Sequence, residues 1–90
     1  MVYRIYTENK NKAEVAEIVS RYFEGFTMYE GEGYWEGKPE PALIIEVLSD
    51  NEATSFINKS RINAIAKRVK LLNDQQAVLC QEIANNNWLI

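Results

Sequence analysis

Histidine is absent from this 90-residue sequence, and cysteine occurs once, at Cys80. Without histidine, Ser-His-Asp triads, Cys-His dyads and imidazole-based catalysis are excluded, and one cysteine is too few for a zinc site. The apolar neighbours of Cys80 favour its burial as a small hydrophobic residue. No P-loop is present, and Gly31-Glu32-Gly33 lacks the third glycine and the helix of a dinucleotide motif. We therefore expect no metal and no cofactor.

Long apolar runs are also absent. No stretch approaches the roughly 18 residues of a membrane-spanning helix, and residues 1–12 look like a strand rather than a signal peptide. These features predict a cytoplasmic protein without a membrane partner.

Charge is unevenly spread along the chain. Residues 1–50 contain five Lys and Arg against ten Asp and Glu, whereas residues 51–90 contain five against three. The excess of carboxylates argues against general nucleic-acid binding, which needs a basic face. The only basic cluster belongs to the predicted second helix and comprises Lys59, Arg61, Lys67, Arg68 and Lys70.

The spacing of apolar residues predicts the order β-α-β-β-α-β. Strands are expected at residues 2–7, 26–35, 42–48 and 75–83, and helices at residues 12–24 and from residue 61 to about 73. In one domain of residues 1–83, this order is typical of a ferredoxin-like α+β fold, with a four-stranded antiparallel sheet and both helices on one face. Residues 84–90 are expected to form a tail that docks as an arm on this or another chain.

Several local features follow from residue type. Asn11 is the expected N-cap of the first helix with Glu14 in the capping-box position, and Gly25 suits a left-handed residue after its end. Residues 37–41 are expected to form a turn, and residues 51–60 a short helix or an excursion.

The second strand contains both aromatic residues and glycines. Alternation places Tyr29, Gly31, Gly33 and Trp35 on one face, and Phe26, Met28 and Tyr34 on the other. If Phe26 and Met28 pack against the helices, Tyr29 and Trp35 stand on the open face, separated by a shallow gap at the glycines. A bulge at either glycine would exchange the two faces.

The candidate binding residues are concentrated in this hairpin. Glu46 lies within an apolar strand and has two interpretations. If it is unpaired, desolvation raises its pKa; otherwise it lies on the open face and pairs with Arg4 or another basic group. The other carboxylates are most simply explained as charges that block edge-to-edge strand pairing. The proposed binding set is Tyr29, Glu30, Tyr34, Trp35, Glu36, Lys38 and Glu46.

The segment from Gly25 to Trp35 resembles the Gly-x-Thr…Gly-x-Trp signature of a family of small uncharacterised bacterial and phage α/β proteins. Glu40, ahead of Leu43-Ile44-Ile45, matches that family's glutamate before its third strand. The resemblance covers about 20 residues and implies the fold rather than an activity. The hairpin from Trp35 to Lys38 is more weakly similar to the second hairpin of the CutA family, which are trimeric ferredoxin-like proteins linked to divalent cations.

The leading hypothesis is a non-enzymatic binding or regulatory module that engages a protein or a small ligand through the aromatic and acidic hairpin. A chain of this size buries only about 60 to 65% of its unfolded surface, so assembly into a dimer or trimer would add stability. A phage or mobile-element protein that blocks a host factor fits the same features.

Two other classes remain open. The first is a small enzyme with a carboxylate and tyrosine site between subunits, as some small ferredoxin-like oligomers have. The second is a nucleic-acid binder that uses the second helix. No catalytic residue is assigned.

Overall fold

The structure is a computed structural model that describes residues 1–49 and 54–84. It confirms the predicted element order and the α+β, ferredoxin-like arrangement. The elements are β1 (Val2–Glu8), α1 (Lys12–Ser20), β2 (Thr27–Trp35), β3 (Lys38–Leu48), α2 (Ser55–Leu72) and β4 (Leu79–Ile83).

The four strands form one antiparallel sheet in the order β2-β3-β1-β4. Because side chains alternate across a strand, every second residue of β1 and β3 faces the helices and the others form an open face. The helix-facing positions are Tyr3, Ile5, Leu43, Ile45 and Val47, all buried. They pack against buried residues of the two helices, namely Val15, Val19, Ile62, Ile65 and Val69.

Both helices differ at their starts from the predictions. Asn11 is the N-cap of α1, but its backbone is left-handed (φ 54°) and its side chain makes no capping bond. It instead donates a hydrogen bond to Asn73 Oδ1 at 2.9 Å. Helix α2 begins at Ser55, six residues before the predicted start, and residues 51–53 of the predicted excursion lie outside the described residues.

The end of α1 also differs from the prediction. The helix ends at Ser20, and Gly25 does not have a left-handed backbone. The chain leaves α1 through hydrogen bonds from the Tyr22 and Phe23 N–H groups to Val19 O, so the last turn closes without a glycine.

The predicted turn at residues 37–41 is wrong, because β3 already begins at Lys38. A two-residue turn joins β2 to β3, and both of its residues are left-handed (Glu36 φ 51°, Gly37 φ 77°), as in a type I′ hairpin. The Pro41 carbonyl accepts a hydrogen bond from Asn9 N at 3.3 Å, so it points away from β2. The Pro41 nitrogen points the same way, and the strand therefore loses no hydrogen bond to β2 by having proline there. The hairpin thus extends beyond the end of β1.

Strand pairing settles two further expectations. The register of β2 and β3 runs one-to-one from Thr27↔Glu46 to Trp35↔Lys38, so neither glycine forms a bulge. Strand β4 starts at Leu79 rather than Gln75, because the Gln75 side chain bonds to Thr7 at the end of β1.

Neither described helix combines the length and the hydropathy needed to cross a bilayer. Of the predicted tail, residues 85–90 lie outside the described residues.

Candidate functional site

The open face of the sheet is arranged in rows set by the strand register. One row contains Glu46 beside Arg4, the next contains Tyr29, Ile44 and Tyr6, and a third contains Gly31, Ala42 and Glu8. Two further rows belong to the hairpin alone, Gly33 with Glu40 and Trp35 with Lys38. Successive rows are about 6.6 Å apart, since each step is two residues of a strand.

The polar cluster on this face consists of Arg4, Tyr29 and Glu46. Arg4 Nε donates to Glu46 Oε2 at 2.8 Å, and the Tyr29 hydroxyl donates to the same oxygen at 3.3 Å. The bond to Glu46 raises the pKa of the Arg4 guanidinium. Desolvation, and then the charge of Glu46, raises the pKa of the Tyr29 phenol. The cluster therefore holds the Glu46 carboxylate between a guanidinium and a phenol.

A trough lies beside the polar cluster, where the hairpin extends past β1. Its floor is Gly33 and Ala42, its walls include the rings of Tyr6 and Trp35, and its volume is about 300 Å³. Glu8 and Glu40 add carboxylates, and no Lys or Arg of the described ranges lines it. The cavity continues round the free edge of β3 to Thr7, Tyr34, Pro41 and Gln75. We call this cavity the open-face trough.

The two glycines contribute differently to the trough. A Cβ on Gly31 would lie 3.0 Å from Ile44 Cδ1, so the Ile44 side chain fills the gap expected there. A Cβ on Gly33 would meet nothing closer than Glu40 O at 3.7 Å, so the floor is open at that position. The shallow gap between the aromatic rings therefore exists at Gly33 rather than along both glycines.

The residues proposed from the sequence fall in three places. Tyr29 and Glu46 meet in the polar cluster, and Glu46 pairs with Arg4 as one of the two interpretations predicted. Trp35 and Lys38 are three rows from Tyr29, about 20 Å along the sheet, with Glu36 in the adjoining turn. The remaining two, Glu30 and Tyr34, project to the helix side of the sheet, and Glu30 lies 3.4 Å from Lys12 Nζ.

Tyr6 is the residue that sequence reasoning missed. It lines the trough, and its hydroxyl donates to Gln81 Oε1 at 3.1 Å. The alternation of β1 already placed Tyr6 on the same face as Arg4, but only the register with β3 brings it beside the hairpin. Tyr6 connects the polar cluster to the trough.

Within residues 1–49 and 54–84, no group of three His, Cys, Asp or Glu side chains is placed to hold a metal ion. Cys80 is partly buried on the helix side of β4, and burial raises the pKa of its thiol. Among the described residues, Cys80 packs against the hydrophobic core.

No family model and no curated protein matches the chain. Solved structures do share the fold. A phage SAM lyase in its apo state has a TM-score of 0.68 at 12% identity, covering 88% of this chain and 75% of the other. A phage SAM lyase in complex with S-methyl-5'-thioadenosine has a TM-score of 0.60 at 12% identity, with coverage of 88% and 76%.

A DUF3240 family protein from Shewanella baltica has a TM-score of 0.61 at 13% identity, covering 99% of this chain and 94% of the other. At such low identity these likenesses show the fold alone. They agree with the resemblance to bacterial and phage α/β proteins at the level of fold, whereas the Gly-x-Thr…Gly-x-Trp signature and the CutA similarity stay predictions.

Proposed function

We propose that this protein binds S-adenosylmethionine in the open-face trough and cleaves it to S-methyl-5'-thioadenosine. The observation that carries the proposal is the chemistry of the trough, where two aromatic rings and two carboxylates surround a small-residue floor without any basic side chain. The fold shared with phage SAM lyases directs the choice among cationic ligands that contain a ring. The proposal belongs to the enzyme class, one of the alternatives that the sequence left open.

The trough fits the two distinctive parts of this ligand. Its adenine is a flat ring, for which Trp35 and Tyr6 offer stacking surfaces. Its sulfonium is a cation, which aromatic faces and nearby carboxylates attract. Glu8 is already paired with Lys10 at 2.7 Å, so Glu40 is the carboxylate with the greater attraction for the ligand.

The reaction balances without a co-reactant. S-Methyl-5'-thioadenosine retains the methyl and adenosyl groups, so the bond that breaks joins sulfur to the four-carbon amino acid chain, and sulfur keeps the electron pair. The carbon that leaves sulfur loses the bonding electron pair. It gains a new bond either from the carboxylate oxygen of the same fragment, which closes a ring, or by loss of a neighbouring proton to a base, which forms a double bond.

The polar cluster lies one row from Tyr6 and four rows from Trp35, so it supplies the groups that position this fragment when the adenine stacks on Tyr6. Glu46 carries a negative charge that can hold the ligand's ammonium or accept a proton, and Tyr29 holds Glu46 by a hydrogen bond. Arg4 fixes the same carboxylate from the other side, so its orientation is set before ligand arrives.

The test is incubation of the purified protein with S-adenosylmethionine, followed by chromatography of the nucleoside products. We expect S-methyl-5'-thioadenosine from the wild type, a large loss of rate in Glu46→Gln, and a wild-type rate in the matched control Glu32→Gln on the other side of the sheet. Circular dichroism confirms folding of each variant. Absence of product from a folded wild type, or equal rates in the two variants, would contradict the proposal.

A second candidate is the non-enzymatic module, favoured by the exposure of the hairpin tip. Tyr34 and Trp35 are 68% and 67% exposed, which is unusual for large aromatic side chains and typical of protein-binding surfaces. If the protein leaves S-adenosylmethionine intact but retains a partner from a cell extract, the Tyr34→Ala/Trp35→Ala variant should lose that partner. Retention by the variant would exclude the tip.

A further inference from the structure

The two outer strands of the sheet carry opposite charge. Strand β2 forms one edge and β4 the other. We propose that β2 of one copy pairs with β4 of a second copy, and that this edge-to-edge contact closes the chain into a cyclic homo-oligomer. This inference rests on the edge strands and their charges rather than on the ligand proposal, and a closed ring would turn the open-face trough toward its interior.

The free backbone groups of β2 lie at its acidic residues. The carbonyl of Pro41 points toward β1, so the backbone groups of the odd-numbered β3 residues face β1 and those of the even-numbered residues face β2. By the register of the hairpin, these even-numbered β3 residues form their backbone hydrogen bonds with the odd-numbered residues of β2. The N–H and C=O groups of Glu30 and Glu32 therefore point outward, with both side chains on the helix side of the sheet. Glu30 accepts a hydrogen bond from Asn9 and lies 3.4 Å from the exposed Lys12 Nζ, and such solvent-exposed contacts compete weakly with a new partner.

The free edge of β4 borders a basic groove. Cavities of about 300 and 80 Å³ run between this strand and α2 and share Asn63 and Cys80 among their lining residues. Lys59 lines the smaller cavity, and Lys67 and Lys70 line the larger. None of the three lysines forms an ion pair among the described residues.

Among the described residues, Glu82 is the only carboxylate that lines this groove, against three lysines. The arginines of the predicted basic cluster point elsewhere, since Arg61 lies over the Phe23 ring at 5.8 Å and Arg68 over the Tyr22 ring at 5.9 Å. The groove therefore keeps a net positive charge from the lysines alone.

Charge decides which edges can pair. Two β2 edges would bring four glutamates together, and two β4 edges would bring six lysines together, so both symmetric pairings are repelled. Pairing β2 with β4 places Glu30 and Glu32 of one copy beside the lysines of the next. The strands are then antiparallel, because β2 and β4 run in opposite directions within the sheet.

A heterologous contact of this kind either closes into a ring or grows into a fibre. The twist of the sheet favours closure, with the helices outside and the open face inside. Leu48 and Leu79, which are 62% and 63% exposed on the open face, would then be shielded from water. The expected product is a dimer or trimer of the 10.4 kDa chain.

The test is a set of charge reversals measured by light scattering. We expect the wild type to be an oligomer, and both Glu30→Lys/Glu32→Lys and Lys59→Glu/Lys67→Glu/Lys70→Glu to be monomers. The chain that combines all five reversals should recover the wild-type mass, because opposite charges again face each other. Glu14→Lys/Glu17→Lys, the matched control on α1, should remain an oligomer.

Three results would overturn the proposal. A wild type that remains at 10.4 kDa up to millimolar concentration would leave the groove to another occupant. Reversals on either edge that keep the wild-type mass would show that these charges do not form the contact. If the variant with all five charge reversals stays monomeric while its circular dichroism spectrum is native, the two edges do not meet.

Discussion

Replacing Asn73 with alanine is expected to destabilise the fold by about 2 to 3 kcal/mol, because one buried side chain there joins three separate segments. Asn73 is only 4% exposed, at the end of α2. It accepts a hydrogen bond from Asn11 Nδ2 at 2.9 Å, and donates to Gln75 Oε1 at 3.2 Å and to Thr7 Oγ1 at 3.4 Å.

The magnitude follows from these three bonds. Each intramolecular hydrogen bond contributes about 0.5 to 1.5 kcal/mol net, and the 3.4 Å bond belongs at the low end. The partners limit the loss, because Thr7 keeps its bond to Gln75 and the exposed Asn11 is reached by water. For a domain of this size, each kcal/mol lowers Tm by roughly 4 to 8 °C.

The assay is urea unfolding followed by circular dichroism at fixed protein concentration. Ser60→Ala, on the exposed side of the same helix, is the control and should change stability by no more than about 0.5 kcal/mol. A loss below about 0.5 kcal/mol in Asn73→Ala would refute the reasoning, since it would show that water replaces all three bonds without cost.

Four smaller predictions concern the turn and the cysteine. Gly37→Ala should destabilise by about 1 kcal/mol in thermal unfolding, because φ is +77° there, and an unchanged Tm would contradict this. Glu36→Asn should stabilise by a few tenths of a kcal/mol, since Asn accepts φ 51° more readily in a two-residue hairpin. Burial raises the pKa of Cys80, so its thiol should react with iodoacetamide more slowly than free cysteine at pH 8.5, and the difference should shrink as pH rises through the folded pKa. The free energy of unfolding should therefore be unaffected by this thiol below the pKa of an unfolded cysteine, about 8.5, and should fall as pH rises above it. Urea unfolding at a series of pH values measures this change.

The fold was predictable because its apolar periodicity changes clearly between strands and helices. The core residues of α2 at Ile62, Ile65 and Val69 follow the spacing on which the second helix was based. The start of α2 was not predictable in the same way, because its first turns, from Ser55, expose Phe56 and carry no apolar stripe.

The candidate site was only partly predictable. Alternation placed Tyr29 and Trp35 on one face and foresaw a bond between Arg4 and Glu46. It could not show that Tyr29 and Trp35 are three rows apart, since that depends on hairpin register and on where β1 ends. The network around Asn73 was equally hidden, because its members come from the ends of separate elements.

The open-face trough is proposed to take a cationic ligand with a flat ring. Calorimetric titration with S-adenosylmethionine and with S-adenosylhomocysteine tests it most directly, because the second compound has a neutral thioether in place of the charged sulfonium. In the Glu46→Gln variant, which should not consume the ligand, we expect S-adenosylmethionine to bind about tenfold more tightly, equivalent to about 1.4 kcal/mol. Equal affinities, or no binding of either compound, would contradict the account.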